Sequence, residues 1–209
     1  MKFIKIITTI ITLVLSTNTS AALVERLGGL AYYDTDADLT WLANANSANG
    51  MLSLPEANIW AGNLIVDGVG GWRLPDTLQP DSTCDFQSAD ESSGLGCTGS
   101  EMGNMFYNVL GNNSGSLSNT GPFSNLFPTD FWSATKFEPL PGINDLAWSF
   151  NMGIGNQAWT VERNTMFVWA MQTGDVSSVP VPAALWLFAS GLIGLISVAK
   201  RKTAHNCHS

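Results

Sequence analysis

The pattern of hydrophobic and polar positions divides the chain into two long apolar segments and a mixed region between them. The first apolar segment, Ile6–Leu15, follows two lysines and leads through small and polar residues to Ala22. This order is typical of a secretory signal peptide, and we assign residues 1–22 to it. Cleavage after Ala21 and cleavage after Ala22 fit equally well. A retained N-terminal anchor is the alternative, although the apolar run is shorter than the roughly 20 residues of a membrane-spanning helix.

The second apolar segment, residues 183–199, contains no charged residue and is followed by Lys200, Arg201 and Lys202. At about 1.5 Å per residue it spans roughly 26 Å, slightly less than the ~30 Å hydrocarbon core of a bilayer. We therefore predict a transmembrane helix whose basic end stays in the cytoplasm, with residues 203–209 as a cytoplasmic tail. A buried helix of a soluble domain is the alternative, but such a helix rarely ends in three basic residues.

The mixed region begins with a predicted β-hairpin, Gly28–Leu42, in which apolar strand residues flank an aspartate-rich turn. Apolar residues then recur at three- and four-residue steps in Leu54–Leu64, which predicts an amphipathic helix. A second helix is predicted for Thr98–Leu110, with Thr98 as its cap and Glu101 three residues later.

Four short aromatic segments follow, and each alternates apolar residues with small or polar ones, as half-buried strands do. Gly153–Asn156 is a natural hairpin turn between the middle two segments. The order of hairpin, two helices and strands indicates one α+β domain over residues 23–174, joined by a linker at 175–178 to the second apolar segment. The predicted strands are Phe131–Ala134, Ala147–Asn151, Ala158–Val161 and Met166–Met171.

Charge separates this domain from the rest of the chain. All 17 acidic residues lie between Glu25 and Asp175, together with only four basic ones, so this region has a net charge of about −13, against −8 for the whole chain. Such a domain is repelled by phosphate backbones, which argues against nucleic-acid binding. The other basic residues flank the two apolar segments on the sides that the positive-inside rule assigns to the cytoplasm. The pattern therefore predicts that the acidic domain is exported.

Cys84 and Cys97 are the only cysteines of the predicted domain. An oxidising periplasm favours a disulfide between them, and closing so short a loop contributes about 3 kcal/mol to stability through chain entropy. A zinc or redox site is the weaker interpretation, because no neighbouring cysteine or histidine completes it. Cys207 lies beyond the predicted membrane segment, so topology separates it from the pair.

Two other segments contain residue types that bind metals. Asp34, Asp36 and Asp38 are spaced like the start of a calcium loop, but the glycine and closing glutamate of such a loop are absent, so an ordinary acidic turn is favoured. The tail segment His205–His208 has two histidines and a cysteine, but a tail that is lost or frayed is favoured. We predict no metal site and no cofactor.

The second apolar segment and its flanks resemble the PEP-CTERM sorting signal in its VPxPA-type variant, in residue order as well as in hydrophobicity, over Val179–Lys202. The resemblance implies recognition by an exosortase-type transpeptidase in the inner membrane of an exopolysaccharide-producing Gram-negative bacterium, with signal peptidase as the other processing partner. Val-Pro-Val-Pro replaces Pro-Glu-Pro, which leaves the cleavage position open. The sorting motif comprises Val179, Pro180, Val181, Pro182, Ala183 and Ala184.

The domain itself resembles the Lcl C-terminal domain family, also called DUF1566, from about Leu23 to Gly174. The matching motifs are short, and their order and spacing make the resemblance specific. It implies a C-type-lectin-like fold: two helices packed on twisted antiparallel strands, with the chain ends close together. The family usually has Val-Arg where Trp169-Ala170 stands, so the family's arginine is missing here. The matching segments are Tyr33–Leu42, Ala57–Leu64, Gly71–Pro75, Phe131–Thr135, Ala147–Phe150 and Val168–Met171.

One family motif, Trp72-Arg73-Leu74-Pro75, contains a cation between apolar residues. A buried arginine needs a carboxylate or several carbonyl groups, so an ion pair that organises the core is favoured over ligand contact. The tryptophans of the later strands are candidates for a carbohydrate-stacking surface. Because strand residues alternate in direction, about half of them should be buried, and core packing is the default. These tryptophans are Trp132, Trp148, Trp159 and Trp169.

The predicted mature domain contains no histidine, because His205 and His208 lie past the membrane segment. This excludes Ser–His and Cys–His nucleophile systems and histidine-based zinc sites. Paired carboxylates would permit a glycosidase. Formylglycine-generating enzymes share the lectin-like layout and use a cysteine pair, but a polar loop around Cys84 and Cys97 fits a structural disulfide better. An enzyme of either type remains the alternative hypothesis.

The sequence therefore predicts an exported, exosortase-processed protein of the cell surface or extracellular matrix, anchored in the inner membrane before processing. Its lectin-like domain is predicted to serve adhesion or binding without catalysis, with a polysaccharide as the candidate ligand.

Overall fold

The computed structural model describes residues 23–89, 91–137 and 145–176. They belong to one compact unit that ends at Val176. The predicted signal peptide, the sorting motif, the basic triplet and the tail lie outside the described residues. Within the described ranges, no helix has both the length and the apolar character needed to cross a bilayer.

The described residues form a mixed α+β structure in which strands predominate and two short helices, α1 and α2, pack against them. Helix α1 spans Leu54–Asn63, and α2 spans Glu101–Asn104 before the chain continues as a π-helical turn, Met105–Val109. The strands β1 to β9, numbered in chain order, are Leu23–Arg26, Ala31–Asp34, Leu39–Leu42, Phe86–Gln87, Ser92–Ser93, Asp130–Lys136, Leu146–Asn151, Asn156–Val161 and Met171–Thr173.

The first sheet contains both ends of the described domain, in the strand order β1-β2-β3-β9, all antiparallel. The predicted N-terminal hairpin is confirmed as β2–β3. Strand β9 pairs with β3 and so returns the end of the domain to its beginning. There the Arg26 guanidinium donates to both carboxylate oxygens of Asp175, over 2.5 and 2.7 Å, and lies over the Tyr33 ring.

The second sheet has the order β6-β7-β8, with Trp148 directly opposite Trp159. A small antiparallel ribbon, β4–β5, extends it. Gly94, just after β5, exchanges two backbone hydrogen bonds with Gln157 of β8, over 2.9 and 2.8 Å. The predicted hairpin between the middle two aromatic segments is confirmed as β7–β8. The ribbon thus continues the sheet at its β8 edge.

Helix α1 begins with a capping box, in which the side chains of Ser53 and Glu56 bind backbone amides that have no partner within the first turn of the helix. Its buried residues, Leu54, Ala57 and Ala61, pack against the second sheet in a cluster with Trp132 and Val168. The helix ends one residue before the predicted Leu64.

The start of the second helix was predicted incorrectly. Its N-cap is Ser100, not Thr98. The Thr98 amide donates to the Thr83 hydroxyl over 2.7 Å, and the Glu101 carboxylate binds an arginine instead of closing a capping box. Long-range partners therefore override the local signal.

The predicted last strand, Met166–Met171, is also wrong in part, because only Met171 belongs to β9. The preceding residues change partner almost at every step. Met166 exchanges hydrogen bonds with Leu52, the Phe167 carbonyl accepts from Trp132, and the Ala170 carbonyl accepts from Leu42. This segment joins the two sheets through the core instead of extending one ladder.

Candidate functional site

Trp159 is the one tryptophan of the described domain with a largely exposed side chain: 43% of its surface is exposed, although it is paired with a buried tryptophan across β7 and β8. Its cross-strand partner Trp148 is 1% exposed. Phe137, which follows β6, packs edge-on against Trp148 and is stacked on Trp159 with ring centroids 5.1 Å apart and an interplanar angle of 27°. The supporting rings therefore hold Trp159 from one side and leave part of its surface to solvent.

Glu91 fixes the edge of this ring. One of its carboxylate oxygens, Oε2, accepts a hydrogen bond from the Trp159 indole N–H over 2.5 Å. In the described part of the chain no donor contacts the other oxygen, Oε1. We call Trp159, Phe137 and Glu91 the Trp159 site. It combines an apolar ring surface with an adjacent charged acceptor.

The β4–β5 ribbon brings Glu91 to β8. Besides the Gly94–Gln157 backbone pair, the Gln157 side-chain amide donates to the Ser92 carbonyl over 3.1 Å. The Gln79 side chain binds the same residue twice, since its amide donates to the Ser92 carbonyl and its oxygen accepts from the Ser92 amide. These bonds fix the residue next to Glu91.

A disulfide between Cys84 and Cys97 closes the loop that contains the ribbon. Both residues are buried, with 6% and 0% of their surface exposed. Asp81 secures the same loop, because its carboxylate accepts from the Gly99 amide over 2.9 Å and from the Thr83 hydroxyl. The disulfide thus limits how far the loop that holds Glu91 can move away from Trp159.

A small cleft of about 210 Å³ adjoins the Trp159 site, and Glu91 forms part of its wall together with Gln79, Pro80, Ser88 and Ala89. A ligand that stacks on Trp159 could extend past Glu91 into this cleft. The arrangement suits a molecule with an apolar face and a polar rim, which describes the ring of a pyranose sugar.

Core packing, the default interpretation of the four later tryptophans, is confirmed for three of them, and these three cannot form a stacking surface. Trp132, Trp148 and Trp169 have 0%, 1% and 0% of their surface exposed. The indole N–H groups of Trp132 and Trp169 donate to backbone carbonyls of Leu52 and Leu42, each over 2.8 Å. These three tryptophans pack in the core, and of the four candidates only Trp159 is exposed enough for stacking.

The motif at residues 72–75 is structural in the described fold. Trp72 and Leu74 are buried, and the Arg73 guanidinium donates to both oxygens of Glu101, over 2.8 and 2.6 Å. The Glu101 carboxylate raises the pKa of Arg73. Arg73 also donates to the Thr173 hydroxyl over 3.0 Å. The guanidinium therefore joins the motif to α2 and β9, as expected for an ion pair that organises the core. In the same region the Pro75 carbonyl accepts a hydrogen bond from the Ala134 amide.

Replacing Arg73 by alanine is expected to lower the free energy of unfolding by about 2 kcal/mol, because Glu101 loses its charged partner while staying four-fifths buried. The matched control is Arg163→Ala, since Arg163 is exposed and has no ion pair in the described ranges. Urea unfolding followed by tryptophan fluorescence would measure both changes. Equal effects of the two substitutions would contradict a structural role for the Arg73–Glu101 pair.

The aspartate-rich turn has its own internal hydrogen bonds. Asp34 is fully buried, and its Oδ1 accepts from the amides of Asp36 and Ala37, over 3.1 and 3.3 Å. Asp38 accepts from the Tyr33 hydroxyl over 2.8 Å. Within the described part of the chain, the carboxylates of the three turn aspartates are not close enough together to bind one metal ion. The potential ligand atoms of Asp81, Cys84 and Cys97 do lie within 4.8 Å of one another. In that second group the two sulfurs are bonded to each other.

Two larger clefts occur among the described residues, and their described lining residues include no aromatic side chain. One, of about 380 Å³, has Asp36, Thr98 and Glu101 among its lining residues. The other, of about 450 Å³, lies beside the start of α1 and is lined by Glu56, Glu162 and Arg163, among others. Glu56 closes the capping box and Glu162 pairs with Lys136 over 2.9 Å, so both carboxylates already have structural partners.

Comparison of the chain with models of protein families, with curated proteins and with solved structures gives no match. The Trp159 site therefore has to be judged on its own geometry. Sequence reasoning proposed Trp159 but missed Glu91 and Phe137. No local pattern marks Glu91, which lies in a polar loop 68 residues before its partner. Phe137 could have been suspected, because it directly follows a strand rich in aromatic residues.

Proposed function

We propose that the protein is an exported, exosortase-processed component of the cell surface or extracellular matrix, and that its lectin-like domain binds polysaccharide without catalysing a reaction. The observation on which the binding function depends is the half-open Trp159 ring, held by Phe137 and bonded at its edge to Glu91. A pyranose ring has C–H groups on its faces and hydroxyl groups at its rim. The first can stack on an indole, and the second can donate to a carboxylate.

Rigidity supports this proposal. A side chain that is already held in its binding position loses little conformational freedom when a ligand arrives. Trp159 has a ring behind it and a hydrogen bond at its edge, and Glu91 lies on a ribbon that the Cys84–Cys97 disulfide encloses. The site therefore needs little reorganisation to accept a sugar.

Export of the protein from the cytoplasm is inferred from the two targeting segments of the sequence and from the negative charge of the domain between them. The buried Cys84–Cys97 disulfide fits this route, since such bonds form and persist in oxidising compartments. The same bond favours binding over chemistry of the formylglycine-generating type. A catalytic cysteine must offer a reactive thiolate, whereas these two sulfurs are bonded to each other and buried.

The proposal is tested by expressing the full chain in an exopolysaccharide-producing host, fractionating the cells and incubating the recovered protein with a glycan array that includes the host polysaccharide. We expect the protein outside the cytoplasm, with both termini shortened by processing. We also expect glycans to be retained without change in their length. Cytoplasmic protein of full mass would overturn the delivery route, and shortened glycans would favour a glycosidase.

A further inference from the structure

We infer that the Trp159 site selects polysaccharides that have free amino groups, such as deacetylated hexosamine polymers, over acidic polysaccharides. The inference rests on the proposed polysaccharide-binding function and names the chemical class of its ligand. Three observations support it: the second oxygen of Glu91 has no described donor, the sequence that forms the ribbon and its flanks has no basic residue, and Lys136 lies on the other face of the sheet.

Glu91 can accept a cation without losing its structural role. Its Oε2 holds the Trp159 indole N–H, and its Oε1 has no protein donor within the described ranges. An ammonium group beside a stacked sugar ring could therefore donate to Oε1 while the Trp159 bond stays intact. Hydrogen bonds between an ammonium and a carboxylate are charge-assisted and stronger than those of a neutral hydroxyl.

The charged residues in the sequence around Glu91 are all acidic. No lysine, arginine or histidine occurs between Arg73 and Lys136, whereas seven acidic residues do. This stretch includes the whole β4–β5 ribbon and the cleft residues Gln79, Pro80, Ser88, Ala89 and Glu91. An acidic polysaccharide that approached Trp159 would meet this negative charge with no cation of the ribbon to offset it.

The nearest cation in sequence to the aromatic rings faces away from them. Lys136 precedes Phe137 and stands opposite Ala147 and, across β7, Thr160. Because adjacent strand residues alternate in direction, these residues lie on the face opposite to Trp148 and Trp159. Lys136 pairs there with Glu162 over 2.9 Å. The described groups on the Trp159 face of β7 and β8 are apolar or amide side chains, namely Leu146, Trp148, Phe150, Gln157 and Val161.

Three oligosaccharides of equal length would test the inference by titration against the full chain in a non-ionic detergent without sugar groups. They are hexamers of glucosamine, of N-acetylglucosamine and of galacturonic acid. We expect the glucosamine hexamer to bind at least about tenfold more tightly than the acetylated one, as one charge-assisted hydrogen bond would give. The galacturonic acid hexamer should bind most weakly.

Glu91→Gln separates the local carboxylate from the general charge of the domain. It should reduce the preference for glucosamine over N-acetylglucosamine to nearly one, with little change in binding of the acetylated hexamer. The control, Asp67→Asn, removes the same unit charge at an exposed turn after α1, where the residue has a positive φ that asparagine also tolerates, and should keep the preference.

The possible outcomes are distinct. Three results would each overturn the amino-group inference: equal binding of the amino and acetylated hexamers, tighter binding of the acidic hexamer, or an equal loss of preference in both variants. None of them would contradict polysaccharide binding itself. Failure of all glycans, on an array as well as in these titrations, would overturn both the inference and the proposed function.

Discussion

Replacing Gly103 by alanine is expected to lower the free energy of unfolding by more than about 3 kcal/mol, because the added Cβ would make the shortest contact found at any described glycine. A Cβ atom at this position would lie 1.7 Å from the carbonyl oxygen of Cys97 and 2.9 Å from its carbonyl carbon. Both are backbone atoms, so no side-chain rotation relieves the overlap. Cys97 is fully buried and bonded to Cys84, which prevents the backbone from shifting easily.

Gly62→Ala is the matched control, because it adds the same methyl group to the other helix. Gly62 lies near the end of α1, and nothing is within 4 Å of the position that its Cβ would occupy. Alanine there should stabilise the fold slightly, by about 0.5–1 kcal/mol, since glycine is the poorer helix former. Urea unfolding of both variants gives the comparison. A Gly103→Ala protein as stable as the Gly62→Ala protein would contradict the described contact between α2 and the Cys97 backbone.

Removing the disulfide by Cys84→Ser together with Cys97→Ser is expected to lower the free energy of unfolding by about 3 kcal/mol. The bond closes a loop with a sequence separation of 13 residues, and its loss lets the unfolded chain explore more conformations. The substitution should also weaken glycan binding in the folded protein. Glu91 lies in this loop, and a looser loop holds the carboxylate less firmly against the Trp159 indole.

Cys207→Ser is the control for this substitution, because it removes a cysteine outside the described domain. Unfolding and glycan titration should both be unchanged by it. The double serine variant would contradict the expected role of the disulfide if it unfolded at the wild-type urea concentration. Unchanged glycan affinity would show that the ribbon holds Glu91 in place without the bond.

The parts of the fold that were predicted correctly depend on interactions between near neighbours in the chain. The β2–β3 hairpin has a short aspartate-rich turn, and α1 has its first-turn proline and glutamate next to an apolar stripe. The β7–β8 hairpin follows from a glycine-rich turn between two alternating segments. Each of these signals lies within the element that it specifies, so a single sequence is enough to find it.

The wrong predictions concern segments whose structure is determined by partners that are distant in the sequence. Thr98 has the sequence signature of a cap, but its amide bonds to Thr83 and the actual cap is Ser100. The alternation in Met166–Met171 is that of a strand, although its backbone partners come from four separate segments. Periodicity gives the spacing of inward-facing positions and says little about which segments face each other.

The candidate site shows the same limit. Strand alternation predicted that about half of the four candidate tryptophans would be buried, whereas three are buried. The burial of Trp169 could not be predicted from strand alternation, since this residue lies in the segment that crosses the core. The choice of Trp159 as the exposed one depends on sheet packing, and its pairing with Glu91 depends on the ribbon that Gln157 and Gln79 hold in place.

The central claim, that polysaccharide binds on the Trp159 ring, is tested most directly by comparing Trp159→Ala with Ile59→Ala in retention on an immobilised glucosamine polymer. Ile59 is a large apolar residue on the surface of α1 with 65% of its surface exposed, so its truncation controls for a general loss of exposed apolar area. Trp159→Ala should reduce affinity at least about tenfold, as expected for the loss of one stacking platform, and Ile59→Ala should not. Retention of the Trp159→Ala protein at the wild-type level would contradict the claim.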